Sequence, residues 1–284
     1  MNDNKVAIIG GGTMGNGIAE VFAVAGHPVY LYDVSSEVCE KGLAEIGHRL
    51  EKRYRQGRLN EQPDQVFGRI EKVESLDQVK EAELVVEAIV ERIDVKQDVF
   101  RKLDDVCPLT TVLATNTSSL SVTEIAAVAK YPERIIGIHF FNPAPVMLLV
   151  EVVASRFSSH QAVEKAISYA KGVGKVPIRV SDNPGFIVNR VARPFYNEAL
   201  RIAGERIATF EQIDKILTSA GFRMGPFELQ DLIGIDINYA TTKSIFEAFF
   251  QDSRFRPHFL QRMLVQAGTL GRKTGRGYYQ YDKE

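Results

Sequence analysis

An apolar run, a glycine-rich turn and an amphipathic helix follow one another in the first part of the chain. Residues 6–9 are apolar, residues 10–15 read Gly-Gly-Gly-Thr-Met-Gly, and apolar residues recur at helical spacing from Ile18 to Ala23. A strand, a tight turn and a helix in direct succession predict the first unit of a parallel sheet. This feature restricts the segment to an architecture in which strands alternate with helices.

The residues of this turn fit the binding of a dinucleotide. Gly10 allows a tight turn, Gly12 lacks the side chain that would block a pyrophosphate, and Gly15 permits close packing of helix on strand. Thr13 and Met14 start the helix, whose N-terminus offers backbone N–H groups and a positive dipole end to phosphate. The alternative is a glycine-rich turn in an unrelated α/β protein.

A second predicted strand, residues 28–32, ends in an acidic residue. Asp33 follows the glycines at close to the roughly 20-residue separation expected of a ribose-binding carboxylate. Such a carboxylate accepts hydrogen bonds from both ribose hydroxyls and repels a 2′-phosphate. The sequence therefore predicts that the cofactor is NAD rather than NADP.

The remaining pattern divides the chain into two domains. Strands and helices alternate up to His139, which predicts a mostly parallel sheet wrapped by helices. A polar breaker cluster at residues 181–185 follows, and almost only helical patterns come after it. We therefore predict an α/β fold, with a Rossmann-type domain over residues 1–183 and a smaller all-α domain over residues 184–284.

A histidine and a glutamate interrupt two apolar runs on either side of a proline turn. If the chain folds back about Pro145, His139 and Glu151 are equidistant from the turn and face each other across two strands. Either polar group buried alone would be costly, whereas the two together form a polarised base. The alternative is a core histidine satisfied by a structural carboxylate.

Composition excludes several classes of function. The formal net charge is −1, which argues against a nucleic-acid-binding protein. Cys39 and Cys107 are the only cysteines and show no metal or disulfide spacing, as expected of a reduced intracellular protein. No signal-peptide pattern and no apolar run of about 20 residues is present. We expect a soluble, cytoplasmic protein without a metal or a membrane partner.

Only one of the five histidines occupies a position suited to catalysis. Oxidation of an alcohol by NAD requires a base within hydrogen-bond reach of the hydroxyl. His27, His48, His160 and His258 fall in a turn, on a basic helix or near helix starts. His139 lies at a strand end, where ligands of open α/β sheets bind. It is therefore the candidate base.

With these features, the chain resembles the L-3-hydroxyacyl-CoA dehydrogenases over nearly its whole length. The motifs that carry the resemblance are residues 10–15, Thr115-Asn116-Thr117-Ser118-Ser119, Gly137-Ile138-His139-Phe140-Phe141-Asn142-Pro143, Glu151, Pro184-Gly185-Phe186-Ile187-Val188-Asn189-Arg190, Met224-Gly225-Pro226-Phe227 and Lys273-Thr274-Gly275-Arg276-Gly277-Tyr278-Tyr279. Several motifs in the right order are more specific than any one of them.

The resemblance implies a role for each matching residue. His139 is the catalytic base and Glu151 holds and polarises it. Ser118 and Asn189 hydrogen-bond the reacting oxygen and position the acyl chain, which places the implied site between the domains. Ser118 has an alternative, because Ser and Thr residues at 117–121 could cap the next helix.

The resemblance also implies further contacts with the cofactor. Glu91, Lys96 and Asn142 match residues near the nicotinamide ribose, and Lys273 matches a cofactor contact near the C-terminus. For Glu91 and Lys96 the alternative is an ordinary helix-start carboxylate and a solvated lysine.

Recognition of coenzyme A is implied at a basic helix end. Arg53 matches a family lysine, and Arg53 and Lys52 could bind the 3′-phosphate of coenzyme A. Ser118 is implied as a further contact with the substrate. The alternative is a solvated charge run. Two departures from the family pattern are Ile46, where some members have a substrate-contacting serine, and Leu148, where a lysine is usual.

The predicted activity is reversible, NAD-dependent oxidation of a (3S)-3-hydroxyacyl-CoA, such as 3-hydroxybutyryl-CoA, to the 3-oxoacyl-CoA. One alternative is a dehydrogenase of a free hydroxy acid or polyol such as gulonate. Another is a non-enzymatic NAD-binding or structural protein. Phe246, Phe249 and Phe250 end one helix of the second domain and suggest a homodimer, although they could equally belong to the core.

Overall fold

A computed structural model describes residues 4–281 of the chain. The described residues form two compact units that divide after Asn183. The first unit is an α/β domain and the second consists of helices. The predicted class, a Rossmann-type domain followed by a smaller all-α domain, is confirmed.

The first unit is built on one sheet of eight strands. The strands are β1 (Val6–Ile9), β2 (Val29–Tyr32), β3 (Ile70–Lys72), β4 (Leu84–Glu87), β5 (Val112–Thr115), β6 (Ile135–Phe140), β7 (Leu149–Ala154) and β8 (Val176–Ser181). Their order is β3-β2-β1-β4-β5-β6-β7-β8, and every neighbouring pair is parallel except β6 and β7. The strand order reverses between β1 and β4, and the crevice beyond the carboxyl ends of these strands is where such sheets bind ligands.

Helices cover both faces of this sheet. They are α1 (Thr13–Val24), α2 (Ser36–Arg55), α3 (Pro63–Phe67), α4 (Ile93–Val106), α5 (Val122–Ala126) and α6 (His160–Gly172). Alternate strand residues point to opposite faces, so that Ile8 belongs to one buried apolar cluster and Ile9 to the other. The central strands are buried on both faces, which explains their continuous apolar runs.

The second unit contains five helices among its described residues. They are α7 (Val188–Gly204), α8 (Phe210–Ser219), α9 (Pro226–Ile233), α10 (Ile235–Ala248) and α11 (Phe259–Gln266). Its apolar core includes Leu200, Phe227 and Ile235. The predicted extended end of the chain contains only isolated bridges, from Gly271 to Arg276 and from Arg276 to Gln280.

Within residues 4–281, no helix combines the length and the apolar character needed to cross a bilayer.

Candidate active site

Three of the four glycines in the turn after β1 differ in how their surroundings constrain them. Gly10 has a φ of +111°, and a side chain there would place its Cβ 2.6 Å from the carbonyl oxygen of Ala88. A Cβ on Gly15 would overlap the carbonyl oxygen of Gly10. A Cβ on Gly12 would meet no atom within 4 Å, and Gly12 is the N-cap of α1. Gly10 and Gly15 are thus required by packing, whereas Gly12 leaves open space at the helix N-terminus, next to Thr13 and Met14.

Asp33 lies directly after β2 and is oriented by two backbone groups. Its Oδ2 atom accepts a hydrogen bond from the N–H of Gly11 at 2.7 Å, and its Oδ1 atom accepts one from the N–H of Ser35 at 2.9 Å. A carboxylate oxygen can accept two hydrogen bonds, so each oxygen retains capacity for a ribose hydroxyl. The turn and Asp33 together fit the diphosphate and ribose of a dinucleotide.

His139 and Glu151 are directly opposite each other in the antiparallel pair of β6 and β7. The Nδ1 atom of His139 lies 2.8 Å from the Oε2 atom of Glu151, and both side chains are buried. The ring of Phe141 packs beside the imidazole, with centroids 4.4 Å apart. A carboxylate on Nδ1 fixes the tautomer and orientation of the ring and stabilises the imidazolium.

Asn116 ties this pair to the neighbouring strand. Its Oδ1 atom accepts a hydrogen bond at 2.8 Å from the N–H of Phe140, the residue after His139. Its own N–H donates to the carbonyl oxygen of Glu87 at 2.7 Å. Sequence reasoning noted Asn116 only as part of a motif and missed this positioning contact between the ends of β4, β5 and β6.

Glu91 organises the segment that follows β5. Its Oε1 atom accepts hydrogen bonds from the hydroxyl of Thr117 at 2.6 Å and from the N–H of Ser118 at 3.0 Å. Desolvation raises the pKa of Glu91, but the charge of Lys96 and these hydrogen bonds outweigh it and leave the pKa below its ordinary value. The helix cap is provided by Ser121, whose hydroxyl accepts from the N–H of Glu124. Ser118 therefore does not cap α5.

Lys96 is buried, and the alternative of a solvated lysine is wrong. Only 1% of its side chain is exposed. Its Nζ atom donates to Glu87 at 2.6 Å and lies 3.4 Å from Glu91. Glu87 also accepts from the hydroxyl of Thr115 at 2.8 Å. Lys96 thus links the buried end of β4 to Glu91, since one cation can satisfy both carboxylates.

The basic end of α2 is partly paired within the chain. Glu20 is fully buried and accepts hydrogen bonds from Arg53 at 2.9 Å and from Arg49 at 2.6 Å. Lys52 is exposed on the same helix. The predicted phosphate contact of Arg53 would therefore have to coexist with its ion pair to Glu20. Ile46 is fully buried in the core.

The loop after β6 carries Asn142 and is held by Lys175, the residue before β8. Asn142 is exposed and its peptide bond to Pro143 is cis. The buried Nζ atom of Lys175 donates to the carbonyl oxygens of Ala144 at 2.6 Å and Met147 at 2.8 Å. Lys175 carried no sequence signal, because it lies far along the chain from the loop that it anchors. Leu148, the departure noted above, is exposed.

Two predicted site residues belong to the second unit. Asn189 is the second residue of α7 and is half-buried. Lys273 donates to Asp236 at 2.7 Å and is partly exposed.

A metal centre was not expected. Among the described residues, no group of three or more His, Cys, Asp or Glu side chains is arranged to hold a metal ion.

An α/β domain with a dinucleotide turn and an imidazole–carboxylate pair at a strand end defines a nucleotide-dependent oxidoreductase. Comparison with known proteins supports this class. Residues 5–183 match the family model "3-hydroxyacyl-CoA dehydrogenase, NAD binding domain", and residues 185–281 match "3-hydroxyacyl-CoA dehydrogenase, C-terminal domain". The chain belongs to the 3-hydroxyacyl-CoA dehydrogenase family. It is an oxidoreductase, and its first unit is an NAD-binding domain.

Individual relatives extend over the whole chain. The chain is 49% identical to the 3-hydroxyadipyl-CoA dehydrogenase of Escherichia coli, over 100% of its own length and 60% of the length of that relative. It is 40% identical to the 3-hydroxybutyryl-CoA dehydrogenase of Clostridioides difficile, over 98% of this chain and 100% of the relative. The crystal structure of (S)-3-hydroxybutyryl-CoA dehydrogenase from Ralstonia eutropha has a TM-score of 0.94 and 39% identity, covering 99% of this chain and 100% of that one.

Proposed function

We propose that the protein catalyses the reversible oxidation of a (3S)-3-hydroxyacyl-CoA to the 3-oxoacyl-CoA, with NAD as the cofactor. The observation that carries this proposal is the buried contact between His139 and Glu151 at the carboxyl end of β6. A histidine held in this way is a general base suited to a hydroxyl group. Family membership supports the acyl-CoA substrate.

His139 removes the hydroxyl proton of the substrate in this mechanism. Because Nδ1 is held by Glu151, the proton is taken at Nε2, and Glu151 offsets the positive charge that the ring acquires. The hydroxyl of Ser118 and the side-chain amide of Asn189 hold the C3 oxygen as it becomes a carbonyl oxygen. Bound NAD supplies the acceptor for the hydride that leaves C3.

The cofactor is held by the residues of the turn and the strand ends. Gly10, Gly12 and Gly15 with the start of α1 receive the diphosphate, and Asp33 receives the adenine ribose. The carboxylate of Glu91, with Lys96 3.4 Å from it, would hold the nicotinamide ribose. Asn142 and Lys273 complete the proposed cofactor contacts.

The coenzyme A 3′-phosphate is proposed to bind Lys52 and Arg53. Three cationic side chains, Arg49, Arg53 and the nearby Lys175, stand against two carboxylates, Glu20 and Glu45, which leaves one net positive charge in this region. Such an excess favours a phosphate at the exposed end of α2.

A homodimer formed through the second unit is part of the proposal. Phe249 stacks on Phe255 within the unit, whereas the side chain of Phe250 is 95% exposed. Other large apolar side chains of the same unit, including Val191, Ile216 and Phe259, are also exposed. Exposed apolar surface of this kind marks interaction sites.

Cys39 and Cys107 are buried thiols, which suits the reducing cytoplasm.

A second candidate concerns the acyl chain. One relative is named 3-hydroxyadipyl-CoA dehydrogenase and shares 49% identity with this chain, compared with 40% for the relative from C. difficile. Substrates whose acyl chain ends in a second carboxylate are therefore a candidate beside short neutral chains such as 3-hydroxybutyryl-CoA.

The proposal is tested by following NADH absorbance at 340 nm with acetoacetyl-CoA as substrate. We expect oxidation of NADH and much slower oxidation of NADPH, because Asp33 repels the 2′-phosphate. In Arg53→Ala and Lys52→Ala the KM for acetoacetyl-CoA should rise, with Arg55→Ala as the control on the same helix end. Turnover of gulonate in place of 3-oxoacyl-CoA would favour the rival dehydrogenase, and no absorbance change with any 3-oxoacyl-CoA would favour a non-enzymatic protein.

A further inference from the structure

Besides the buried carboxylates Asp214 and Asp231, six polar side chains lie in the interior of the second unit, where apolar residues would be expected. We call them the interior polar cluster. Its members, each at most 3% exposed, are Arg193 and Asn197 on α7, Gln230 on α9, Asn238 and Thr242 on α10, and Gln261 on α11. Buried polar groups are costly unless they are hydrogen-bonded, so the cluster requires a reason.

Arg193 is the only charged member of the cluster. Its guanidinium donates to the carbonyl oxygen of Asn238 at 2.9 Å, to the Oδ1 atom of Asn238 at 3.1 Å and to the hydroxyl of Thr242 at 2.8 Å. It also lies over the ring of Tyr196, 4.9 Å from its centroid. All these partners are neutral, and no described carboxylate acts on the group. Burial lowers the pKa of Arg193 to about 10, so the side chain remains charged at neutral pH.

The hydrogen bonds within the cluster leave two buried donors unpaired. The Nε atom of Arg193 and the Nε2 atom of Gln230 are buried and have no hydrogen-bond partner among the described residues. Gln261 links Gln230 to Asn238, because its amide donates to Gln230 at 2.6 Å and to Asn238 at 3.0 Å. Two acceptors, Asn197 Oδ1 and Gln261 Oε1, are also unpaired and suit water. A buried cation beside unused donors is the environment that a carboxylate satisfies.

The position of Arg193 relates it to the proposed substrate. Arg193 follows Asn189 by four residues on α7, so the two side chains lie on the same helix face, with Cβ atoms about 6 Å apart. In the proposed function, on which this inference rests, Asn189 holds the C3 oxygen. Three C–C bonds of about 1.5 Å separate C3 from C6 and span roughly 4 Å. With the oxygen atoms on C3 and C6 included, the span approaches the rise of about 6 Å over four helical residues, so a carboxylate at C6 can reach Arg193.

We propose that Arg193 binds the terminal carboxylate of the acyl chain and makes the enzyme selective for 3-hydroxy dicarboxylic acyl-CoA substrates. Gln230, linked through Gln261 to the Asn238 that Arg193 contacts, supplies a second, neutral donor within the cluster. The unpaired buried cation of the second unit is then completed by the substrate. A neutral acyl chain of the same length leaves that cation without an anion and is the poorer substrate.

The wild-type enzyme alone gives a first test. NADH oxidation is measured with 3-oxoadipyl-CoA and with 3-oxohexanoyl-CoA, which have the same number of acyl carbons. We expect kcat/KM to be about 10- to 100-fold higher for 3-oxoadipyl-CoA, the range for a charged hydrogen bond. An equal or higher kcat/KM for 3-oxohexanoyl-CoA overturns the inference and leaves the proposed function intact. Inactivity with both, and with acetoacetyl-CoA, instead overturns the proposed function.

The variant Arg193→Met assigns the selectivity to this residue. The ratio of the two kcat/KM values should fall toward 1, while Arg193→Lys should retain part of it. Arg201→Met, at a partly exposed arginine on the same helix, should keep the wild-type ratio. A purely structural role predicts a loss for both substrates with an unchanged ratio, and that result overturns the inference. If the melting curve shows that Arg193→Met does not fold, two other measurements decide whether Arg193 sets the selectivity. They are the kcat/KM ratio of Arg193→Lys and the comparison of the two substrates in the wild type.

Discussion

The Nδ1 atom of His139 and the Oε2 atom of Glu151 are 2.8 Å apart across the antiparallel pair of β6 and β7. The two residues are twelve positions apart in the sequence, and Pro145 lies midway between them. A buried histidine paired with a buried carboxylate is held in one tautomer and one orientation. The contact therefore fits the role proposed for Glu151, which is to orient the imidazole and offset its charge.

Replacing Glu151 with glutamine tests whether the contact serves catalysis. We expect Glu151→Gln to lower kcat by about 100-fold or more, because the amide neither stabilises the imidazolium nor fixes the required tautomer. NADH binding, measured by fluorescence, should change little. Glu164→Gln is the matched control, since Glu164 lies near His160 on the exposed surface of α6. A variant with wild-type kcat would show that the pair is structural.

The carboxylate of Glu91 predicts a specific pH dependence of stability. Desolvation raises its pKa, but Lys96 and the hydrogen bonds from Thr117 and Ser118 lower the pKa by a larger amount. The pKa of Glu91 therefore lies below the ordinary 4.5. The folded state then binds fewer protons than the unfolded state in this range. The contribution of Glu91 is thus fully present above about pH 4.5 and is lost as the pH falls through the lowered value.

We expect Glu91→Gln to unfold at lower urea concentration than the wild type at pH 6, with a difference that shrinks as the pH falls below 4.5. Urea unfolding followed by circular dichroism measures it. Glu37→Gln, at an exposed position in the first turn of α2, serves as the control. A difference that stays constant over this pH range would contradict the assigned cause.

The N-terminal part of the site could be predicted because its determinants are local. The turn after β1 and the position of Asp33 follow from neighbouring residues, and Gly10 and Gly15 each have a steric reason. The facing of His139 and Glu151 could be predicted as well, since a turn about Pro145 fixes the register of the two strands.

The side chains that support the site could not be predicted in this way. Lys96 is charged and lies on a helix, a pattern typical of a solvated residue, and its burial depends on Glu87 from another strand. Lys175 and Arg193 are similar cases, because their partners come from distant parts of the chain. Periodicity reports which face of an element is apolar, but it does not show which buried carbonyl or carboxylate meets a cation.

Asp33 allows a test of cofactor choice. Asp33→Asn keeps an oxygen for one of the backbone N–H groups of Gly11 and Ser35 but loses the negative charge. We expect the KM for NADH to rise several-fold and the discrimination against NADPH to fall by about 10-fold, since one charge–phosphate repulsion is removed. Parallel NADH and NADPH assays measure this ratio. An unchanged ratio would mean that another group excludes the 2′-phosphate.

The loop that carries Asn142 depends on Lys175, whose buried Nζ atom donates to the carbonyl oxygens of Ala144 and Met147. Burial, and then the nearby Arg53, lowers the pKa of Lys175.

We expect Lys175→Met to reduce the free energy of unfolding by about 1–3 kcal/mol, because two loop carbonyls lose a charged donor. The KM for NADH should rise as well, since Asn142 belongs to the same loop. Urea unfolding and steady-state kinetics measure the two effects, with the exposed Lys171→Met as the control. Lower stability with an unchanged KM would show that the loop does not position the cofactor.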